Sequence, residues 1–386
     1  MQLHPGPVPL SAVPDENVYH FLSRRFVGDV ISPVWGRGGA ESLKGLDAAR
    51  RACGRFGYHV TFSQYMPSMY RALWEWLFLL GKGLALSVKH GRYDVIVAYG
   101  PTRPAVAGLL LKWLTRTPLV VELPGSLSKS LLMEEERPTR LQRVKAAAGR
   151  AIARRILVAA DHVKLLYPGQ LDGVVDPGKV KASVFANFVP VSRISPADEP
   201  GGYILSMGYP WRVKGMDVVI EAFHRIKDEF TGVSLKIVGY CPDMRPYAAL
   251  AKADPRIELC PAVHRGQAIE LIRRCRVYVL ASRTEAMGRV LLEAMAARKP
   301  IIASAVDGVP HYVRDGVNGL LFPPEDVGAL ADRMRRVLSD PVLAEGVASR
   351  ARDRVTAEYS EERYVSNFES MIGNLLKDRR PGSRPN

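Results

Sequence analysis

Short runs of apolar, mostly β-branched residues recur along the chain, and many of them are bounded by glycine or proline. Such runs predict buried strands of parallel sheets, because these strands are covered on both faces and lack polar–apolar alternation. The first half contains five of them: Asp29–Ser32, Tyr58–Phe62, Asp94–Ala98, Leu119–Glu122 and Val184–Asn187. Helices are predicted between them, from about Ala40 to Phe56 and over the basic segment Arg140–Ile156.

The same alternation restarts after a stretch rich in proline and glycine, Phe188–Gly202, which we interpret as a linker. The predicted strands of the second half are Tyr203–Met207, Ser234–Val238, Val277–Ala281 and Pro300–Ser304, with helices at Asp217–Glu229 and Val290–Arg298. Two such units predict an α/β protein with two doubly wound Rossmann-like domains that face each other across a cleft. Ligands of such sheets bind beyond the carboxyl ends of the strands.

These patterns divide the chain of 386 residues into three parts. We place an N-terminal domain at 1–190, a C-terminal domain at 203–365, and a C-terminal helix with a disordered tail at 366–386. The charged fraction of 24% is ordinary for a globular protein. The four cysteines form no C-x-x-C pair, and no signal peptide or membrane-spanning stretch is evident, so we expect a cytoplasmic protein.

Positive charge is concentrated in the first half of the chain. Residues 1–190 contain 25 Lys and Arg against 14 Asp and Glu, whereas residues 191–386 contain 29 against 25. This asymmetry predicts an anionic partner of the N-terminal domain, or else only a solvated basic surface. The segments Arg71–Arg92, with its tryptophans, and Arg140–Arg155, without an acidic residue, suggest peripheral binding to the inner face of the cell membrane. We see no nucleic-acid-binding motif.

Two loops carry the candidate chemistry, and both follow predicted strands. Arg212 and Lys214 lie between the strand at Tyr203–Met207 and a helix, where cations can hold phosphates, although they could also be solvated surface charges. The loop that ends at Gly288 precedes a helix whose free N–H groups suit a diphosphate.

Two acidic residues accompany that second loop. Glu293 lies among apolar residues of the following helix, and a buried carboxylate there needs partners. These could be two vicinal ribose hydroxyls or a nearby arginine such as Arg289. Glu285 could be a functional carboxylate or simply an acidic residue favoured near a helix N-terminus.

Glu285 and Glu293, separated by seven residues in TEAMGRVLLEAMA, resemble the E-x7-E motif of glycosyltransferase family 4, whose members are retaining enzymes of the GT-B type. The resemblance is strong over about residues 200–325. It includes Gly208 with Lys214–Asp217 upstream, and Lys299-Pro300, Asp307–Pro310 and Asp315–Leu320 downstream, and it is weaker in the first half at Gly38-Gly39, Tyr93–Val97, Ala160-Asp161 and Asn187-Phe188.

The resemblance implies a hexosyltransferase-like enzyme that uses a nucleotide-sugar donor and neither a cofactor nor a metal, in keeping with the lack of any D-x-D sequence. It implies that Lys214 holds the diphosphate, that Glu293 holds the ribose, and that the N-terminal domain binds a cell-envelope, lipid-linked or polysaccharide acceptor. Glu285 would contact the transferred sugar. The resemblance places the remaining residues of the donor site at Gly38, Gly39, Arg212, Ala286, Met287, Gly288 and Arg289.

Two positions depart from the family pattern. Tyr209 stands where the family usually has arginine, so Arg212 could take its place, and Pro124 stands where a histidine is frequent, so Glu122 or Ser126 could contact the acceptor. Two alternatives therefore stay open, namely a sugar-nucleotide epimerase of the same fold and a non-catalytic nucleotide-sugar-binding protein. The sequence identifies neither the base, nor the sugar, nor the acceptor.

Overall fold

The computed structural model describes residues 1–4, 17–34, 40–62, 68–126, 139–197 and 201–379. Within these ranges the chain forms two parallel sheets, each flanked by helices on both faces. This arrangement confirms the predicted fold class of two doubly wound α/β units.

The first sheet has seven strands in the order β3-β2-β1-β4-β5-β6-β7. The strands are β1 (Gln2–Leu3), β2 (Gly28–Val34), β3 (Phe56–Phe62), β4 (Ile96–Tyr99), β5 (Leu119–Glu122), β6 (His162–Leu165) and β7 (Ala182–Val184). Its helices are α1 (Val18–Leu22), α2 (Ala40–Ala52), α3 (Ser68–His90), α4 (Arg103–Thr115) and α5 (Arg140–Ala159). A capping box between Thr139 and Gln142 begins α5.

Three features of this half differ from the prediction. The strand expected at Val184–Asn187 is β7 and lies earlier in the chain, at Ala182–Val184. The helix expected to reach Phe56 ends at Ala52, because Phe56 is already the first residue of β3. The two-residue strand β1 occupies the middle of the sheet between β2 and β4, and no pattern had predicted it.

The second sheet has six strands in the order β10-β9-β8-β11-β12-β13. They are β8 (Tyr203–Met207), β9 (Ser234–Val238), β10 (Ile257–Cys260), β11 (Val277–Leu280), β12 (Ile301–Ser304) and β13 (Leu320–Phe322). Its helices are α6 (Met216–His224), α7 (Arg245–Ala251), α8 (Arg265–Arg274), α9 (Arg289–Ala296), α10 (Val309–Tyr312), α11 (Val327–Ser339) and α12 (Pro341–Glu358). Thus α6 ends five residues before the predicted Glu229, and α9 ends before Arg298.

The last helix, α13 (Glu361–Lys377), returns to the first sheet. Its buried face includes Tyr364 and Phe368, which pack with Phe21, Phe188 and other aromatic residues of the N-terminal half. Burial of an aromatic side chain of this size contributes roughly 1.5–3 kcal/mol, so α13 joins the two halves of the chain. The domain boundaries proposed from the sequence stay predictions, and residues 380–386 of the tail lie outside the described ranges.

Candidate active site

The direction of strand order reverses between β8 and β11, which are hydrogen-bonded neighbours in the second sheet. The connections from β8 lead towards β9 and β10, whereas those from β11 lead towards β12 and β13. A crevice opens at the carboxyl ends of the strands at such a point, and ligands of open α/β sheets bind there. The two loops that the sequence singled out both begin at this edge.

Two glycines fix the course of the β8–α6 loop that carries Lys214. Gly215 has φ of 64°, and a Cβ atom there would lie 2.1 Å from the carbonyl oxygen of Ala281, so the loop packs directly on the end of β11. A Cβ atom on Gly208 would lie 3.2–3.3 Å from three side-chain carbons of Lys214. The lysine side chain therefore lies across the backbone at Gly208.

Lys214 and Glu285 form a direct ion pair between Nζ and Oε2. Their side chains are only 19% and 12% exposed, so the interpretation of Lys214 as a solvated surface charge is wrong. The Ser282 hydroxyl lies 3.5 Å from the same carboxylate oxygen. The switch point of the sheet thus holds a partly buried cation and a partly buried carboxylate in contact.

Asp307 and Gly308 stabilise the loop that carries Glu285 through hydrogen bonds. The Asp307 carboxylate accepts hydrogen bonds from the backbone N–H of Glu285 at 3.1 Å and from the Thr284 hydroxyl. The backbone N–H of Gly308 donates to the carbonyl oxygen of Glu285 at 3.1 Å. A Cβ atom on Gly308 would lie 1.9 Å from the carbonyl oxygen of Ala286, so only glycine fits this position.

Arg283 anchors the same loop from the side. Its guanidinium donates to both carboxylate oxygens of Asp217, at 3.0 and 2.7 Å, and to Glu325 at 2.7 Å. It also donates to the carbonyl oxygen of Arg212, which links the loop to the segment that carries Lys214. The sequence analysis had not singled out Arg283, because a lone arginine in a loop gives no signal of a bidentate partner far along the chain.

Helix α9 begins directly after Gly288, which has φ of 70°. Ala286 and Met287, just before this helix, are buried. The first N–H groups of α9 have no intrahelical acceptor, and the helix dipole favours an anion beside them. This end of α9 lies close to Glu285, whose Cγ atom would be 3.4 Å from a Cβ atom on Gly288.

Glu293 lies on α9 with 3% of its surface exposed. The arginine partner proposed from the sequence is present, since Arg289 Nε lies 3.1 Å from Glu293 Oε1. A second arginine, Arg265 from the start of α8, lies 2.9 Å from the same oxygen. Burial, together with the charges of Glu285 and Glu293, raises the pKa of the Tyr278 hydroxyl well above its ordinary value, so both carboxylates lie within electrostatic reach of one buried group.

Arg212 stays a predicted replacement for the arginine that is missing at Tyr209. Its side chain is half-buried, and its Nε and Nη1 atoms are shielded from solvent. Tyr209 itself is exposed and contacts Tyr240, with ring centroids 5.4 Å apart.

Gly38 and Gly39, which were expected to contact the donor phosphates, lie outside the described residues.

The two acceptor-side candidates are both buried. Glu122 pairs with the buried Lys164 at 3.3 Å, and Lys164 also donates to Asn187 at 2.6 Å. Burial lowers the pKa of Lys164, and the charge of Glu122 opposes that shift. Ser126 interacts with Tyr167. Glu122 is thus occupied by an internal ion pair.

The N-terminal half approaches the site from across the cleft. Arg289 lies within electrostatic reach of Tyr99, at the end of β4, where burial first and the charge of Glu122 second raise the tyrosine pKa to about 12. A ring carbon of Tyr167 would lie 2.7 Å from a Cβ atom on Gly308. Among the described residues no cluster of His, Cys, Asp and Glu could hold a metal, and no helix in those ranges is long and apolar enough to cross a membrane.

Two family models match the chain, and together they cover most of it. Residues 191–354 match the model described as glycosyl transferases group 1, and residues 23–182 match the glycosyl transferase 4-like domain. The first model contains Lys214, Glu285 and Glu293.

The curated relatives include a mannosyltransferase and a glucosaminyl malate synthase. The chain is 28% identical over 290 residues to the phosphatidyl-myo-inositol mannosyltransferase of Mycobacterium tuberculosis. The aligned region covers 73% of this chain and 71% of that protein. It is 30% identical over 174 residues to the N-acetyl-alpha-D-glucosaminyl L-malate synthase of Bacillus anthracis, covering 44% of this chain and only 45% of the relative.

Solved structures share the fold over nearly the whole chain. Sucrose-phosphate synthase from Thermosynechococcus elongatus superimposes with a TM-score of 0.77 at 19% identity, over 98% of this chain and 99% of that one. Anabaena Alr3699/HepE, in complex with UDP and glucose, gives a TM-score of 0.70 at 16% identity, over 96% and 99%.

Proposed function

Because this chain belongs to the glycosyltransferases of the group 1 and 4-like type, with the GT-B fold, we propose that it transfers a sugar from a nucleoside-diphosphate sugar with retention of anomeric configuration and without a bound metal. The acceptor would be a cell-envelope, lipid-linked or polysaccharide precursor on the N-terminal side of the cleft. One observation carries this proposal, namely the contact of Lys214 with Glu285 at the switch point of the second sheet.

The charges at this point suit a diphosphate. When the donor binds, Lys214 exchanges the Glu285 carboxylate for phosphate oxygens, and the N-terminus of α9 supplies backbone N–H donors. The bond between the anomeric carbon and the phosphate oxygen breaks, and negative charge develops on the leaving diphosphate. Lys214 stabilises that charge, while Glu285, released from the lysine, contacts the transferred sugar.

The acceptor hydroxyl forms the new bond to the anomeric carbon, and the leaving phosphate oxygen takes the hydroxyl proton. Attack from the same face as the leaving group gives retention. The ribose of the donor would lie at Glu293, whose carboxylate accepts hydrogen bonds from vicinal hydroxyls. No step requires a general base from the protein, which agrees with the internal pairing of Glu122 by Lys164.

A thermal-shift screen with UDP-, GDP- and ADP-sugars identifies the donor first, because a ligand at 100-fold over its Kd stabilises the native state by ~2.7 kcal/mol. With that donor, Lys214→Ala should lower kcat by about 10²–10³-fold, the range for loss of an electrostatic group at the transition state. Glu293→Gln should raise the donor KM. Lys236→Ala, which removes a lysine paired with Glu258 on the neighbouring strand, should change neither constant.

Unchanged turnover in Lys214→Ala at subsaturating donor would remove the basis of this assignment. Free sugar and nucleotide exchange in the absence of any acceptor would favour an epimerase instead. Activity should survive excess chelator, and NMR should show the donor's anomeric configuration in the product. An inverted product, or a strict requirement for added divalent ions, would contradict the proposed reaction.

We propose further that the enzyme is cytoplasmic and binds the inner face of the membrane through helices α3, α4 and α5. Among the residues that support this are exposed apolar side chains on all three helices: Tyr70, Leu73, Trp74, Leu77, Trp113, Leu114, Leu141, Val144, Ile152 and Val158. Helix α4 packs against both α3 and α5, so these side chains belong to adjacent helices. Six basic residues of α5 flank its apolar positions, as expected of a helix that lies on an anionic surface.

Sedimentation with vesicles of phosphatidylcholine and phosphatidylglycerol tests this surface. Binding should increase with the anionic lipid and decrease between 0.01 and 0.15 M salt, over which the screening length falls from ~30 to ~8 Å. Val144→Glu should weaken binding, whereas Val342→Glu, at an even more exposed apolar position in the C-terminal half, should not. Failure of the protein to sediment with anionic vesicles at low salt would refute membrane binding.

A further inference from the structure

Glu293 is held by two arginines at once, and they come from different helices. Arg265 is the first residue of α8 and reaches Oε1 of Glu293 at 2.9 Å, while Arg289 reaches the same oxygen from one turn earlier on α9 at 3.1 Å. Ionised carboxylates are costly to bury, and two guanidinium groups offset that cost. They also restrict the orientation of the carboxylate, because both contacts converge on a single oxygen.

The second oxygen of this carboxylate is different. Among the described residues no group hydrogen-bonds to Oε2 of Glu293, and this atom is not sealed from solvent. A carboxylate oxygen has two lone pairs and can accept two hydrogen bonds. Because two guanidinium groups hold Oε1, rotation of the carboxylate is restricted, and Oε2 is left to accept hydrogen bonds from a ligand.

The two arginines are not equivalent. Arg289 lies directly after Gly288 at the end of α9 that would hold phosphate, its side chain is 45% exposed, and it lies within electrostatic reach of Tyr99 across the cleft. Arg265 is 30% exposed and ties α8 to α9 through Glu293. When a donor draws Arg289 towards its phosphates, Arg265 still holds Oε1.

We propose that Arg265 is a positioning residue of the donor site, which orients Oε2 of Glu293 towards the 2′- and 3′-hydroxyls of the donor ribose. The site would then select sugars carried on ribonucleoside diphosphates over those carried on 2′-deoxyribonucleoside diphosphates. This inference rests on the proposed function, which assigns the ribose to Glu293.

The test measures Kd by isothermal titration calorimetry for UDP, GDP and ADP and for their 2′-deoxy counterparts. The wild-type protein should bind its ribonucleotide about 10- to 100-fold more tightly than the deoxynucleotide, the range for one hydrogen bond to a charged group. Arg265→Ala should reduce this ratio to about 3-fold or less, with little change in Kd for the deoxynucleotide, and Arg265→Lys should restore part of it. Arg274→Ala, which removes an exposed arginine from the same helix, should keep the full ratio.

The outcomes separate this inference from the function on which it rests. If none of the diphosphates binds the wild-type protein, the proposed function fails. If the wild type binds ribonucleotides and Arg265→Ala keeps their full preference, Arg265 does not position Glu293. Equal weakening of both nucleotides in Arg265→Ala also overturns the inference, because it would place the guanidinium on the diphosphate. Should Arg265→Ala unfold, Arg265→Gln gives the same comparison.

Discussion

Replacement of Gly308 by alanine should displace the loop that carries Glu285. Gly308 has φ of −82°, which any residue adopts, so the backbone conformation itself is no obstacle. The obstacle is space, because the new Cβ atom would lie 1.9 Å from the carbonyl oxygen of Ala286, about 1 Å short of the closest contact that Cβ atoms make. That contact involves backbone, which cannot turn aside as the end of a side chain can.

A displacement of about 1 Å in a positioning element costs on the order of 10²-fold in rate. Overpacking of this kind destabilises a protein by about 1–3 kcal/mol. We therefore expect Gly308→Ala to remain folded, with kcat/KM for the donor reduced by about 100-fold and its midpoint of urea unfolding moderately lowered. The new Cβ atom would also lie 2.7 Å from a ring carbon of Tyr167. The packing of the N-terminal half against this loop should therefore be disturbed as well.

The assay follows nucleotide release from the donor found by thermal shift, and urea unfolding is followed by circular dichroism. Gly373→Ala is the matched control, because a Cβ atom there meets nothing within 4 Å, and the position lies inside α13, where alanine is favoured. Gly308→Ala with kcat/KM within 3-fold of the wild type would refute the reasoning, since it would mean that the loop can yield without moving Glu285.

Three other changes are open to measurement. Lys164→Ala should lower the free energy of unfolding by about 3–5 kcal/mol because it leaves Glu122 buried without its cation, and urea unfolding should show most of that loss recovered in Lys164→Met/Glu122→Leu; equal stability of both variants would contradict this. Burial lowers the pKa of His4 to about 4, so protonation of this side chain favours the unfolded state. Between pH 6.5 and about 4 the wild type should therefore lose about 2 kcal/mol more of its free energy of unfolding than His4→Phe. The phenylalanine ring can keep the stacking on Tyr99. Parallel stability–pH curves would rule that out. Arg283→Lys keeps the charge but loses the bidentate contact with Asp217, so kcat/KM should fall by about 10-fold, and wild-type kinetics in this variant would show that the loop is anchored without Arg283.

The sequence by itself determined the class of fold and the order of its main elements. Mostly apolar runs such as those of β8 and β11 are visible because strands covered on both faces contain few polar positions. The spacing of Glu285 and Glu293, together with the motifs around them, also revealed the family, because these residues lie close along one loop and one helix. The roles assigned to Glu285 and Glu293 from this resemblance stay predictions.

Contacts between residues far apart in the chain were decided by the tertiary structure. The strand β1 has two residues, too few for any periodicity, and it lies in the middle of the sheet because β2 and β4 pair with it from both sides. The return of α13 to the first sheet depends on the aromatic cluster that receives it.

The ion pairs that the arginines of the site form were also decided by the tertiary structure. Arg283 and Arg265 are isolated charges in the sequence, and their partners, Asp217 and Glu293, come close only because strands β8, β10 and β11 share one edge of the sheet. A sequence pattern records the period of one element, whereas an ion pair between elements depends on where the sheet places their ends.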